Sequence, residues 1–450
     1  MIIAPRVIAV DNDPAHLQAL EAAFDGLGGL CECIEFSRAT GRTVPFMSGV
    51  RILFMDINLM PGAGGGVFSP RTGSPIATVI RKLIGQENGP YALITWTANT
   101  PMHNDLVNWL EDNLEPNLRP CATYCLSKEE HLEDAPALIA KLKTIHNDIP
   151  GLAMLLDWER AVTKAADRSV HQIAQLSGLY GRAQGNAVAE AVFAISGAAA
   201  GAEEARRRPF YAFTNGMSAV LADQMDAAPS DVTIEDAWKR VLVQAAPAPA
   251  SDIQRAALNT FFHYETAPAL PSEGLGSVFA ANFRQIREFF LPRFTTSRSA
   301  LLSNEFIPIR NNRLIADAER AAFARACRWR LIQLGASCDH SNGKVRVLDS
   351  LLAVEVPEAL FDDTDLPRRA NGRSTFRDTP AQSDWLFQTP PFLRDGQRYV
   401  LVVNLRYRVG LPLTTVSDFP RLGRLREGLA TEIAAHSANF STRPGIIEFR

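Results

Sequence analysis

The stretch Arg51-Ile52-Leu53-Phe54-Met55-Asp56-Ile57-Asn58-Leu59-Met60-Pro61-Gly62 decides how the first third of this chain is read. Ile52 to Met55 is an unbroken apolar run, the pattern of a strand covered on both faces. A sheet that packs Ile, Leu, Phe and Met on its faces has no place for an ionised acid inside, so Asp56 belongs where the strand emerges. Pro61-Gly62 is a turn signal beyond it. The carboxyl edge of an open α/β sheet is where ligands bind. An acid there is reachable and is held by a rigid element.

The flanking sequence repeats the pattern. Val7-Ile8-Ala9-Val10 predicts a short buried strand that ends in Asp11-Asn12-Asp13-Pro14. Pro14 suits the first position of a helix and Asp13 its cap. Leu17, Leu20, Ala23 and Phe24 then recur at helical spacing. Further strands are predicted over 31–37, 50–55, 91–97 and 124–126, and helices over 76–84, 102–114 and 135–146. Such alternation implies an α/β domain with a doubly wound, five-stranded parallel sheet. Its strand tips gather Asp11, Asp13, Asp56, Thr97 and Lys128 at one edge. Clustered carboxylates repel unless a cation sits among them, and Mg²⁺ prefers oxygen ligands. Asp56 is then a candidate carboxylate nucleophile toward phosphorus, with Lys128 and Thr97 placed for phosphoryl oxygens. Taken singly, Asp11 and Asp13 read only as a helix cap and its neighbour; the joint arrangement carries the functional reading.

This order of residues, over about 6–148, resembles the receiver domain of two-component response regulators. The resemblance implies a flavodoxin-like fold and phosphorylation of Asp56 by a histidine kinase. It also implies Mg²⁺ held by Asp11, Asp56 and the backbone carbonyl of Asn58, with Asp13 as a further candidate ligand. Thr97 matches the family's switch hydroxyl, and Lys128 its phosphate-pairing lysine. The chain departs from the pattern at several points. Asn12 stands where many receivers carry a second acid, and Pro61 comes one residue late. A Gly/Ser/Pro-rich insertion runs from Gly62 to Pro75. Glu129 follows Lys128 in place of Pro, and Tyr124 sits one residue further from the lysine than the family's aromatic switch.

The rest of the chain predicts two more domains, which gives 1–149, 150–246 and 251–450. Helical periodicity fills 152–176, 187–205, 213–225 and 234–244, a helical module. Ala245-Ala246-Pro247-Ala248-Pro249-Ala250 reads as a linker. Beyond it, helices over 251–262, 315–327 and 419–438 and strands over 329–334, 345–348, 352–356 and 399–407 predict an α+β domain. Arg206-Arg207-Arg208 after Glu203-Glu204 reads as a self-paired turn, His171 as a surface histidine on a helix, and Cys338-Asp339-His340 as a turn. The segment 440–449 and the Cys-Asp pair resemble, more faintly, receiver-fused proteins found beside unusual sensor kinases in bacterial gene clusters linked to phage defence. That likeness implies an antiviral pathway.

The 450 residues carry a net charge of −3, with 46% hydrophobic and 21% charged residues. This balance gives no general grip on nucleic acid or anionic lipid. No apolar run nears the roughly 20 residues that span a bilayer. The N-terminus lacks the pattern of a signal peptide, and six cysteines are too few for a disulfide framework. The expected location is cytoplasmic. The expected partners are a histidine kinase and a downstream effector protein, with a second copy of the chain a further candidate. The sequence therefore predicts a phosphoacceptor signalling protein rather than an enzyme. The rival reading is a degenerate receiver that acts as a phosphorylation-independent scaffold.

Overall fold

The computed structural model describes residues 6–37, 49–60, 67–177, 184–226, 250–265, 274–290, 297–307, 317–335, 346–359, 385–416 and 418–441, with 236, 238, 239 and 242. Two compact units divide the chain: Met1–Lys164 with Ala228–Ala246, and Ala165–Ala227 with Pro247–Arg450.

The first unit is the expected α/β layer structure. Strands β1 (Val7–Asp11), β2 (Glu32–Glu35), β3 (Ile52–Met55), β4 (Ala92–Thr97) and β5 (Ala122–Ser127) pair in parallel in the order β2-β1-β3-β4-β5. The order is compatible with a flavodoxin-like fold, and it reverses between β1 and β3. Leu53, Phe54 and Met55 are fully buried, and each contributes roughly 1.5–3 kcal/mol by leaving water. Helix α1 (Pro14–Gly26) sends Leu17, Leu20 and Phe24 onto the face of Ala9, Phe54 and Ile94. Helix α2 (Pro70–Leu83) sends Ile76, Val79 and Ile80 onto the opposite face, that of Ile8, Leu53 and Leu93. Helix α3 (His103–Asn113) joins α2 there through Leu106 and Leu110. A single turn, α4 (Lys128–His131), follows β5, and α5 (Ala135–Asp148) covers the α1 face through Leu138 and Leu142.

Helix α2 corrects the sequence reading. Its first turn begins at Pro70, inside the stretch read as an insertion, and Pro75 lies within the helix. Pro70 occupies the first turn, where a missing N–H costs nothing. Gly73 is a packing glycine here, because a Cβ on it would meet the Trp109 ring at 2.6 Å. The glycine run at 62–66 lies outside the described residues.

Helix α6 (Pro150–Ser177) follows without a break in the chain, and the unit boundary falls after its Lys164. Its Glu159 meets Arg51, just ahead of β3, at 2.5 Å. Arg51 also donates to the Asn88 carbonyl at 2.6 Å. The span to 226 continues as α7 (Gln184–Ala200), α8 (Ala202–Arg207) and α9 (Pro209–Asp226), helical as the periodicity predicts. Small residues let α7 and α9 approach closely: a Cβ on Gly216 would stand 2.9 Å from that of Ala199. Glu204 takes up Arg207 and Arg208, so these charges are self-paired as read, but they lie on helix α8 rather than in a solvated turn, and Glu204 is buried. His171 is exposed on α6, with Gln175 beside its ring.

The second unit carries an antiparallel sheet of β6 (Tyr264–Glu265), β7 (Ser277–Ala281), β8 (Arg328–Gln333), β9 (Val347–Pro357), β10 (Leu386–Gln388), β11 (Phe392–Arg394), β12 (Gln397–Pro412) and β13 (Arg421–Leu425). The path runs β10-β12-β9-β8-β7-β13-β6, with β11 on β12. Alternate residues feed two cores. Leu331, Leu352, Val354 and Val400 line one, and Ile332, Leu351, Ala353 and Leu401 the other.

Two sequence expectations change here. The strands predicted over 345–348 and 352–356 are one strand, β9. The helix predicted over 419–438 is β13 followed by a helix at Glu427–Ser441. The β13 backbone fills the slot between β7 and β6, and ladder bonds there outweigh the local helical pattern. Cys338-Asp339-His340 and the segment after Ser441 lie outside the described residues. Among the described residues, no helix is long and apolar enough to cross a membrane.

Candidate functional site

The parallel register brings the first two acids together. Val10 is paired with Met55, and the Asp56 amide donates to the Val10 carbonyl at 3.0 Å. Asp11 and Asp56 are therefore neighbours at the ends of adjacent strands. Strand alternation gives both the side of the sheet that Ala9 and Phe54 face. Lys128 arrives from the end of β5, where Ser127 is paired with Thr97. Its Nζ lies 2.7 Å from Asp11 Oδ2 and 3.2 Å from Asp56 Oδ2. All three are nearly removed from water: Asp11 is 1% exposed, Asp56 4% and Lys128 5%.

One ammonium thus serves two buried carboxylates. Asp11 Oδ1 also accepts the Asp13 N–H at 3.0 Å, and His16 Nδ1 stands 3.4 Å away. The ammonium approaches Asp11 Oδ2 outside hydrogen-bond alignment, which leaves that oxygen without a hydrogen bond. Asp56 also accepts the backbone N–H of Asn58. Burial pushes the Asp56 carboxyl above the usual carboxylate range; Lys128 pulls it down and the Asp11 charge pushes it up.

The sign of this shift gives a stability prediction. A raised carboxyl means that the folded state holds its proton more tightly than the unfolded chain. Stability is then greatest below the ordinary value of 3.8 and falls as pH rises through the folded value. At neutral pH the ionised Asp56 costs stability. Asp56→Asn is expected to raise the stability of this unit at pH 7.5 and to leave it unchanged or lower at pH 3.5. Urea titrations at both values check this; a loss at pH 7.5 would contradict it.

The remaining predicted residues are placed differently. Asp13 is the N-cap of α1, its Oδ1 accepting the Ala15 N–H at 2.9 Å, and its side chain is about half exposed. Thr97 is buried, and its hydroxyl accepts the Asn99 N–H at 3.0 Å. By alternation Thr97 continues the Leu93 side of β4 rather than the Ile94 side. Among the described residues, no hydrogen bond joins it to Asp11, Asp56 or Lys128. The Asn58 backbone carbonyl accepts Asn12 Nδ2 at 3.2 Å.

A hard cation needs several oxygen donors within reach. Among the described residues, no three His, Cys, Asp or Glu side chains converge to hold a metal ion. The site does offer the Asp11 and Asp56 carboxylates and the oxygens of Asn58. Among the described residues, Asn58 Oδ1 is buried without a hydrogen bond, and Asp11 Oδ2 meets the Lys128 ammonium outside hydrogen-bond alignment. All are oxygens, the chemistry that Mg²⁺ takes, and one acid fewer lowers the charge available to it.

Two contributors were not read from the sequence. His16 reaches both Asp11 and Asp13, the latter at 3.7 Å; its position three residues after the Asp13 cap was the available signal. His103 Nδ1 lies 2.8 Å from the Thr95 hydroxyl, and burial pulls its imidazole below the ordinary value. Nothing in the local sequence marks that pair, because it depends on how α3 leans on β4. No family model matches the chain, and neither curated proteins nor solved structures give a match.

Proposed function

We propose that the first unit is a phosphoacceptor domain of the two-component type, in which Asp56 takes a phosphoryl group from a histidine kinase. The observation that carries this reading is the single Lys128 ammonium set between Asp11 and Asp56, all three buried at the carboxyl edge. A structural ion pair would satisfy one acid with one base. Here a second acid stands beside the first, and its carboxyl is held reluctant to ionise.

The residues have distinct parts in the proposed transfer. An Asp56 oxygen attacks phosphorus as the P–N bond of a phosphohistidine breaks, and the electron pair leaves with the imidazole. Lys128 follows the charge, exchanging its contact with the Asp56 oxygen for a phosphoryl oxygen. Asp11 holds the ammonium in place while this happens. Asp11, Asp56 and Asn58 would hold Mg²⁺, which supplies charge neutralisation on the phosphoryl oxygens. The Thr97 hydroxyl accepts the Asn99 N–H and keeps its own proton to donate to a phosphoryl oxygen. Output passes by protein contact, since no nucleic-acid-reading motif stands in the sequence. A place in an antiviral pathway belongs to the same proposal.

Incubation of the full chain with acetyl phosphate and Mg²⁺, followed by intact mass spectrometry, tests the reading. One acid-labile phosphoryl adduct is expected, lost in Asp56→Asn. No adduct, or one that persists in Asp56→Asn, would refute it.

The bond from Asn12 Nδ2 to the Asn58 carbonyl favours a second reading, a metal-independent scaffold. In that reading the amide stands where a cation would be held, and the acids are neutralised by Lys128 alone. Asn12→Asp separates the two. If the site is a weakened cation site, the substitution tightens Mg²⁺ about tenfold or more by restoring a carboxylate. If the site is closed to cations in both forms, Mg²⁺ titration monitored by calorimetry stays flat.

A further inference from the structure

A cavity of about 410 Å³ opens at the other end of the same sheet. Ile52 and Ala92, the first residues of β3 and β4, form its floor with Ile94. Phe24, Leu142 and Leu156 form its walls, from α1, α5 and α6. Every lining residue of the first unit but one is apolar. The exception is Lys143, which is exposed and, among the described residues, has no ion-pair partner. No carboxylate lines the cavity among those residues.

Size and charge together select an occupant. A space of a few hundred Å³ encloses one small molecule, and an apolar lining takes a hydrocarbon body. An unpaired ammonium within the lining takes an anionic head in preference to a neutral or cationic one. We propose that this cavity binds a small amphiphilic carboxylate, an aliphatic acid of about eight to twelve carbons, with its chain against Ile52, Ala92 and Ile94 and its carboxylate on Lys143. The site is remote from Asp56 and does not depend on what Asp56 does.

The test is calorimetric titration of the full chain with octanoate, decanoate and 1-decanol, each below its aggregation limit. Saturable binding of one decanoate per chain is expected, with affinity rising about fourfold per added methylene. Lys143→Glu is expected to weaken decanoate about tenfold and to leave 1-decanol unchanged. Ala153→Phe, which fills the cavity from α6, is expected to abolish both. A diazirine-bearing decanoate photolysed on the wild-type chain gives an independent reading that needs no variant. Its label is expected on peptides covering 24–27 or 142–156. Absence of saturable decanoate binding, labelling elsewhere, or equal affinity for decanoate in Lys143→Glu overturns the proposal.

Discussion

Replacing Lys128 with Met is expected to lower the stability of the first unit by about 3 kcal/mol at pH 8, and by less as the pH falls. The substitution keeps the length of the side chain and removes its charge. Asp11 and Asp56 are then left side by side, both nearly buried, with the one ammonium that meets them gone. Breaking a buried ion pair by deleting one partner costs about 3–5 kcal/mol, because the other charge stays behind. Part of that loss is recoverable, since an acid can take up a proton. Asp56 is the group to do so, because burial and the Asp11 charge already raise its carboxyl. As pH falls below its folded value, Asp56 becomes neutral in the folded state and the penalty shrinks. Hydrogen exchange of peptides spanning β3 and β4 reads this unit without interference from the other. A loss of protection that does not shrink as the pH falls would contradict the account. The same variant is expected to accept phosphoryl groups from acetyl phosphate at least about a hundredfold more slowly.

A second large effect belongs to the other unit. Glu355 is completely buried on β9. Its Oε2 accepts from Arg330 Nε at 2.8 Å and from Arg394 Nη1 at 2.5 Å. Arg328 stands further off, at 3.9 Å from Oε1. Burial pulls the Arg330 guanidinium below its ordinary value, against the attraction of Glu355. Glu355→Ala removes the counter-charge that, among the described residues, these arginines share. The cost is expected at about 3–5 kcal/mol, most of it the stranded Arg330. The double substitution Arg330→Met with Glu355→Leu is expected to recover most of it, because apolar groups of similar volume replace the charges. Hydrogen exchange in β8 and β9 peptides measures both. A single variant as protected as wild type would contradict the assignment, as would a double variant as weak as the single.

The two units differed in how much could be read from sequence. In the first, each strand is a short apolar run closed by a polar residue, and the intervening helices keep their period. Direction and the ligand-binding edge follow from that pattern; the order β2-β1-β3-β4-β5 does not. The meeting of Asp11, Asp56 and Lys128 was legible because parallel strands deliver their tips to one edge. What the reading missed there turns on side-chain detail. The cap of α1 at Asp13 was read, but Asn12 turned its amide to the Asn58 carbonyl and Thr97 took the Asn99 amide. Each is a local competition for a hydrogen bond, which spacing does not decide. The start of α2 was hidden because Pro70, Gly73 and Pro75 all look like loop residues.

In the second unit the sheet is antiparallel and its edge strands are short. Tyr264–Glu265 is a strand only because β13 lies beside it. Arg421–Leu425 has a helical pattern of apolar residues, and its Gly423 takes a positive φ of 156°, which a helix does not allow. Long-range pairing made these strands, and no window of sequence contains both partners.

In the proposed function Asp56 carries a phosphoryl group on its carboxylate. Borohydride reduction measures this most directly, because it converts an aspartyl phosphate to homoserine and leaves a free aspartate untouched. The chain is treated with acetyl phosphate and Mg²⁺, reduced and digested, and the peptide containing residues 52–58 is sequenced by mass spectrometry. The account predicts homoserine at position 56 and aspartate at positions 11 and 13. Aspartate at position 56 in a sample that has demonstrably taken up phosphate, or homoserine at position 11, would contradict it.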